Sequence, residues 1–389
     1  MQYFRDLYEK QKRGETGQMP DYDPHHLDCL LDPYRQANPL NAEKFREDVV
    51  KLLSGETAGE LKKGPTVLGK AGKAPVYVER DILSVLELLC AKKEPVYAMI
   101  APAFISQFSE AVTPGKLRCV FKGMGFAGMI EVALFADILT LKEAFEFERH
   151  ILTDKDFLLT SCCCPIWIAL IRKNYRTFIP NIPPSVSPMV ACGRSIKKIW
   201  PHAKTVFIGP CMAKKAEAKE PDIRDAVDHV LTFREVQSLF DAAGINPEEC
   251  GEDLRDHSSA AGRLYARVGG VSIAVQNTVN RIHPDRAVPL RAAQANGAAE
   301  CRKLLDELKS GRLSANFLEG MGCPGGCVGG PHRIIDADRG TGFVNFYSGE
   351  TEYKTPVDNP YVIELLHRLG FDTVESLIEG ENLFTRRFE

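Results

Sequence analysis

The chain has 389 residues, 44% hydrophobic and 26% charged, with a formal net charge of -3. That length is long for one core and suits two lobes. The near balance of charge argues against nucleic acid as a partner, because no basic excess exists to neutralise phosphates. No run of about 18 apolar residues marks a membrane span. The polar N-terminus MQYFRDLYEKQKRGETG lacks the apolar stretch of a secretory signal, so a cytoplasmic protein is expected.

Residues 1–95 read as a helical N-terminal region. Glu43–Ser54 and Arg80–Ala91 carry apolar residues at helical spacing, and the segment GELKKGPTVLGKAGKAP between them reads as an exposed loop. No CxxCxxC run for an additional cluster is present there. From residue 96 short apolar runs alternate with amphipathic helices. Strands are expected at Val96–Ala101, Phe157–Thr160, Thr205–Gly209, His229–Thr232 and Asn316–Gly320. Thr232-x-x-Glu235 makes a capping box, so a helix should start there. Alternating strand and helix predicts an α/β fold with largely parallel sheets. After Val328 the tail shows one helix near Tyr361–Leu369, giving three expected regions: 1–95, 96–331 and a C-terminal extension over 332–389.

Twelve cysteines in a large chain with no signal sequence point to metal binding or redox chemistry rather than disulfides. Cys29, Cys90, Cys119, Cys250 and Cys301 stand alone on ordinary sequence and read as small buried hydrophobes. Six others, Cys162, Cys163, Cys164, Cys211, Cys323 and Cys327, fall in motifs just after three expected strands, where α/β proteins place their ligand sites. The first cluster is Thr160-Ser-Cys-Cys-Cys-Pro-Ile-Trp167. Three neighbouring side chains diverge, so one ligand, one functional thiol and one structural residue is the expected division. In Gly209-Pro-Cys-Met-Ala-Lys-Lys-Ala-Glu217 a soft anionic ligand stands beside a cation that can steady it, although a surface lysine pair is the common alternative. In Glu319-Gly-Met-Gly-Cys-Pro-Gly-Gly-Cys-Val-Gly-Gly-Pro331 glycines let backbone approach a cluster and donate N–H groups to sulfur. A zinc module would need a second CxxC pair at modest spacing, which is absent. Thiolates from three distant segments suit an iron–sulfur cubane on Cys164, Cys211, Cys323 and Cys327.

These three motifs, in this order, resemble the signature of the FeFe-hydrogenase catalytic domain, in a branch with TSCCCP. The resemblance spans about 96–331 and includes Ile100-Ala-Pro-Ala103, Phe135-Ala-Asp137, Ser187-Pro-Met189, the stretch from Val227 to Glu235 and Gly269-Gly-Val271. It implies two lobes of largely parallel twisted sheets flanked by helices, with the metal cluster between them. The cofactor implied is the H-cluster, a 4Fe–4S cubane joined to a di-iron unit carrying CO, cyanide and a bridging azadithiolate. By the resemblance, Cys164, Cys211 and Cys323 ligate the cubane, and Cys327 ligates it and bridges to the di-iron unit. Lys214 would hydrogen-bond a cyanide, while Met321, Ala101 and Pro102 would line the di-iron pocket. Cys163 would pass protons, with Glu143 and Glu146 as relay carboxylates; read without the resemblance, those two are a solvated helix face. The implied activity is reversible interconversion of protons, electrons and dihydrogen. A ferredoxin-like carrier and maturation enzymes are the implied partners.

The sequence also departs from the family pattern. Cys162 is an additional thiol, which could loosen its loop so that Cys163 caps the iron under oxidising conditions. The hydroxyl usual on the outer relay falls on Pro183. Gly209 and Met189 replace larger or more polar residues. Lys122, Lys197, Lys198 and Lys204 are candidate docking charges for the carrier, although an exposed lysine is more often just a solvated residue. Two competing expectations are a hydrogen-sensing relative that does not turn over and a hydrogenase-like iron–sulfur assembly factor.

Overall fold

The structure, a computed structural model, describes residues 66–68, 76–78 and 80–388 apart from 161, 254 and 256. Cys29 and the helix expected at Glu43–Ser54 lie outside the described residues. The segment read as a loop carries a strand, β1 (Thr66–Leu68), paired antiparallel with β2 (Val76–Val78). Two triplets rich in β-branched and aromatic residues find each other across the Gly- and Lys-rich connection. Helix α1 (Arg80–Ala91) follows with its expected bounds.

The central strand β3 (Val96–Ile100) is buried at all five positions, as a parallel strand covered on both faces must be. Helix α2 (Pro114–Gly123) leads to β4 (Gly128–Glu131), and α3 (Ala133–His150) follows. Every residue of α3 from Ala133 to Phe147 is buried, so it is a core helix with no solvated stripe. The solvated-face reading of Glu143 and Glu146 fails for that reason. Strand β5 (Leu158–Leu159) is minimal, then come α4 (Pro165–Asn174) and α5 (Pro188–Ile199). Strand β6 (Lys204–Gly209) is followed by the short α6 (Ala213–Glu217), β7 (His229–Thr232) and α7 (Phe233–Ala243). The capping box at Thr232 and Glu235 forms as expected. Helices α8 (Ala260–Leu264) and α9 (Gly270–Ile282) precede β8 (Ala292–Asn296), α10 (Ala298–Lys309) and β9 (Phe317–Met321).

All seven of these later strands pair in parallel, in two sheets ordered β4-β3-β6-β7 and β5-β9-β8. The α/β class with parallel sheets flanked by helices is therefore the observed one. Besides β1 and β2, two of these seven strands escaped the sequence reading. In β4 only Met129 and Ile130 are apolar, and β8 reads Ala-Ala-Gln-Ala-Asn, a poor strand former by composition. Both form because a neighbouring strand supplies the ladder: β3 for β4 and β9 for β8. The tail also holds more than one helix, namely α11 (Ala337–Gly349), α12 (Pro360–Arg368) and α13 (Val374–Ile378). Helices α12 and α13 pack against α3, and α11 packs against α8.

Candidate metal centre

The three cysteine motifs sit at the carboxyl ends of β5, β6 and β9, one from the larger sheet and two from the smaller. Cys164 is the N-cap residue of α4, where Pro165 supplies a φ already suited to helix. The N–H of Gly322 donates to its sulfur at 3.3 Å. The consecutive thiols do diverge. Cys162 turns its S–H to Glu143 Oε1 at 3.6 Å and the Val186 carbonyl at 3.2 Å, while Cys163 packs in an apolar cluster with Met321.

Two glycines show how this loop set is locked. At Gly320 a Cβ would lie 2.2 Å from the Trp167 ring, whose indole N–H donates to the Thr160 carbonyl at 2.7 Å. Strand β9 and the TSCCC turn are thereby pressed together by the motif's own tryptophan. Gly326 has φ of +86°, and a Cβ there would lie 2.7 Å from the Val268 nitrogen. The CPGGC turn is clamped on that segment by Val268 N–H to Gly325 O at 3.2 Å and Val328 N–H to Ala266 O at 2.9 Å.

The sulfurs sense one another. Burial pushes the Cys327 thiol far up, and the negative charge of Cys164 and Cys211 pushes it further. Cys323 is pushed up to about 11 by burial, then by Cys211 and Cys164. Cys211 is raised by burial, against the pull of Lys214. Four thiolates cannot share such a site without cationic charge to offset their repulsion, which is what iron supplies. Among the described residues no three His, Cys, Asp or Glu side chains converge as one metal ion requires. A single tetrahedral ion would draw thiolates to about 3.8 Å apart. A cubane takes one thiolate on each of its irons, and four soft sulfur donors from separate loops suit that ligation.

Lys214 adds to that fit. Its buried ammonium lies 2.7 Å from Glu217 Oε2, a contact that can occupy only one of its three hydrogens. Burial works against its charge, but Glu217 and the nearby Cys163 and Cys211 outweigh this and raise its pKa. A buried cation with unspent donors beside the thiols suits an anionic group. Ala101 stands at the end of β3, its N–H bonded to Ile208 O at 2.8 Å, and Pro102 opens the next turn. A Cβ on Gly209 would come within 3.1 Å of the Ala101 Cβ, so these two strand ends abut. Met321 is 1% exposed. Burial first, then the charges of Cys162, Cys327 and Cys164, hold Cys163 as a protonated thiol.

Glu143 and Glu146 are both buried on α3 and face different partners. Glu143 accepts from the Thr160 hydroxyl and Cys162, and burial pushes its carboxyl up to about 7. Glu146 pairs with Lys142 at 3.1 Å and with His150 Nε2 at 3.0 Å. Beside it opens a cavity of about 400 Å³ lined by Glu146, His150, Lys155, Asn181, Pro183 and Pro184, among others. Thr160, Lys142 and Glu319 were missed by sequence reasoning. Thr160 and Glu319 were inside quoted motifs, and Lys142 was signalled by its four-residue spacing from Glu146. Glu319 accepts from Gly269 N–H at 2.9 Å and Ser272 N–H at 2.8 Å, so it anchors the start of α9.

The four candidate docking lysines sit on one edge of the larger sheet. Lys204 begins β6 and pairs with Glu94, Lys122 ends α2 against Asp253, and Lys197 and Lys198 end α5. All four mark the amino ends of the parallel strands, the edge opposite Cys211.

Residues 94–331 match the family described as iron only hydrogenase large subunit, C-terminal domain. That is more than half of the chain, which therefore belongs to this family. It is 28% identical over 282 residues to the periplasmic Fe hydrogenase large subunit of Nitratidesulfovibrio vulgaris, covering 60% of this chain and 67% of that protein. It is 26% identical over 292 residues to iron hydrogenase 1 of Clostridium pasteurianum, covering 63% of this chain but only 50% of that one. A similar match, 26% over 314 residues and 67% and 66% of the two chains, is to cytosolic iron-sulfur assembly component 3 of Pongo abelii. Among solved structures, a variant of FeFe-hydrogenase HydA1 from Chlamydomonas reinhardtii shares the fold. Its TM-score is 0.63 at 21% identity, over 79% of this chain and 98% of that one. Among the described residues no helix is long and apolar enough to cross a membrane.

Proposed function

We propose that the chain is a hydrogenase interconverting protons and electrons with dihydrogen at an H-cluster. The observation that carries this reading is the set of four mutually repelling cysteines from three strand ends beside a buried Lys214 with unspent donors. When bound, the H-cluster supplies the iron chemistry at which protons, electrons and dihydrogen interconvert. Cys164, Cys211, Cys323 and Cys327 would hold its cubane, with Cys327 shared with the di-iron unit. Lys214 offers its free donors to an anionic ligand of that unit, and Ala101, Pro102 and Met321 keep water away from it. Cys163 holds a proton on its sulfur, since burial and neighbouring thiols disfavour its thiolate. Glu143, poised near neutral pH, accepts or returns a proton behind it. Glu146 carries the outer part of the relay. A ferredoxin-like carrier would exchange electrons with the cubane, maturation enzymes would insert the di-iron unit, and the protein would work in the cytoplasm.

Infrared spectroscopy after reconstitution with the di-iron unit tests the reading. Bands of CO and cyanide together with hydrogen uptake are expected. A second reading, an iron–sulfur assembly factor, is favoured by the similarity to the assembly component. A normal cubane spectrum with no such bands would select that reading and sink the first.

A further inference from the structure

Two cysteines that read in the sequence as isolated small hydrophobes, Cys119 and Cys250, stand together in the structure although 131 positions apart in the chain. We propose that they are a redox modification site: a small disulfide such as oxidised glutathione converts them to an intrachain disulfide that fastens residues 250–253 onto α2. Neither is among the proposed cluster ligands, so the site stands whichever function the chain has.

Positions 115, 118, 119 and 122 share one face of α2 by helical spacing. Three of them already hold the same stretch of chain. Gly115 O accepts from Asp253 N–H at 3.3 Å, Arg118 Nη1 donates to Asp253 O at 3.1 Å, and Lys122 Nζ donates to Asp253 Oδ2 at 2.6 Å. At the start of the helix the Thr113 hydroxyl donates to Glu252 at 2.7 Å. Cys119, half-buried, is the fourth residue of that face, and its sulfur lies 4.0 Å from where a Cβ on Gly251 would stand. Because Gly251 has no side chain, it puts nothing between that sulfur and Cys250, the residue before it. Cys250 is 7% exposed, and Cys119 packs against the apolar cluster to which it belongs. The single turn Pro247–Glu249 packs on α2 as well.

The electrostatics agree with that placement. Burial raises the Cys250 thiol, and the charge of Cys119 raises it further, ahead of Glu249 and against the pull of Lys116. Cys250 donates its S–H to the Asn246 carbonyl at 3.8 Å, a long and weak contact, so turning toward Cys119 gives up little. The more exposed thiol reacts first. The Cys119 sulfur, as thiolate, displaces one thiol from the small disulfide and is left as a mixed disulfide. The Cys250 sulfur then attacks the Cys119 sulfur and displaces the second thiol. The two protein thiols lose two electrons and two protons, and the oxidant leaves as two thiols carrying both. In a reducing compartment such a bond is transient, which is the way cytosolic disulfides report oxidising conditions.

A peptide map tests the pair. The full chain as isolated is treated without air with oxidised glutathione, quenched in acid, alkylated and digested with trypsin. Cleavage after lysine and arginine leaves Cys119 on residues 119–122 and Cys250 on residues 235–255, each the sole cysteine of its peptide. Most of the Cys119 should appear in these two peptides joined, lighter than their sum by two hydrogens, and dithiothreitol should separate them. Cys250→Ser should stop the reaction with one glutathione on Cys119, because no second thiol displaces it. Glutathione left on Cys119 in the parent, Cys119 joined to any other cysteine, or both peptides free while the cysteine motifs oxidise would overturn the proposal. If the variant fails to fold, the map of the parent alone decides.

Discussion

The four-stranded sheet has β3 buried at every position and β6 at all but its first, whereas the three-stranded sheet holds one strand of two residues and a largely exposed edge strand, β8. Yet the smaller sheet positions three of the four proposed ligands, and the larger one only Cys211. In the larger sheet the strands bury one another, so order comes from apolar area. In the smaller one it comes from discrete locks: Trp167 on Gly320, the carboxylate of Glu319 on the start of α9, and the CPGGC turn on residues 266–268. Helix α3 touches both sides, packing on α5 beside the larger sheet and on α9 beside the smaller. A site can thus be held as firmly by a few specific contacts as by an extensive sheet, but it becomes more sensitive to single substitutions.

The sharpest test of this contrast is ligand loss. If the two sides are joined by a shared cubane, Cys211→Ala should cost as much iron as Cys323→Ala, nearly all of it. Cys301→Ala should cost none, because Cys301 spends its S–H on the Met321 carbonyl at 3.5 Å. Iron content and visible absorbance decide, and a Cys211→Ala protein with full iron would break the shared-cluster idea. Next in size is the lock itself. Trp167→Ala removes a fully buried ring and should destabilise the chain by about 3–5 kcal/mol. Gly320→Ala should cost about 1–3 kcal/mol by overpacking against that same ring. Both are read by denaturant unfolding, and values near zero would mean that the lock is not what holds the smaller sheet.

The third prediction concerns α3. The folded-state pKa of Glu143 is raised from 4.5 to about 7, so the folded chain keeps a proton that the unfolded chain releases in that window. Its contribution is fully present below pH 4.5 and is lost as pH rises toward 7. Glu143→Gln should therefore flatten the fall in stability between pH 5 and 7.5 by about 2 kcal/mol. Asp137, also raised to about 7 by burial, will leave a residual slope. An unchanged slope in the variant would show that Glu143 is not buried as described. The smallest effect is expected at the Arg149–Glu379 pair, where both side chains are half exposed. Glu379→Gln should shift stability by no more than about 0.5 kcal/mol, and a larger loss would mean that α13 is held to α3 by charge.

Much of this was legible in the sequence wherever chemistry is local. Thr232 and Glu235 announced a helix start, and the cysteine motifs marked strand ends, because caps and thiols declare themselves within a few residues. What was illegible depended on distant partners. The glutamates of α3 looked solvated because Glu143, Glu146, Glu148, Arg149 and His150 share one stretch of helix, and only the packing of α5, α9, α12 and α13 around it reveals the burial. Strand β8 looked like loop until β9 lay beside it. Lys142 drew no reading from the sequence, since nothing local says that Ser185 and Pro184, over 40 positions later, will enclose it.

The hydrogen bond from Gly322 to the Cys164 sulfur joins residues 158 positions apart. On a growing chain, the first motif leaves the ribosome long before its partner exists, and the intervening sheet must form around an incomplete site. Contacts of such separation close late, after the loop entropy between them has been overcome. For most of its synthesis the chain therefore carries the first cysteine motif without the Gly322 N–H that meets the Cys164 sulfur. If the four cysteines hold the proposed cluster, its loading would be the closing event of folding, and iron delivered earlier would meet only fragments of the site.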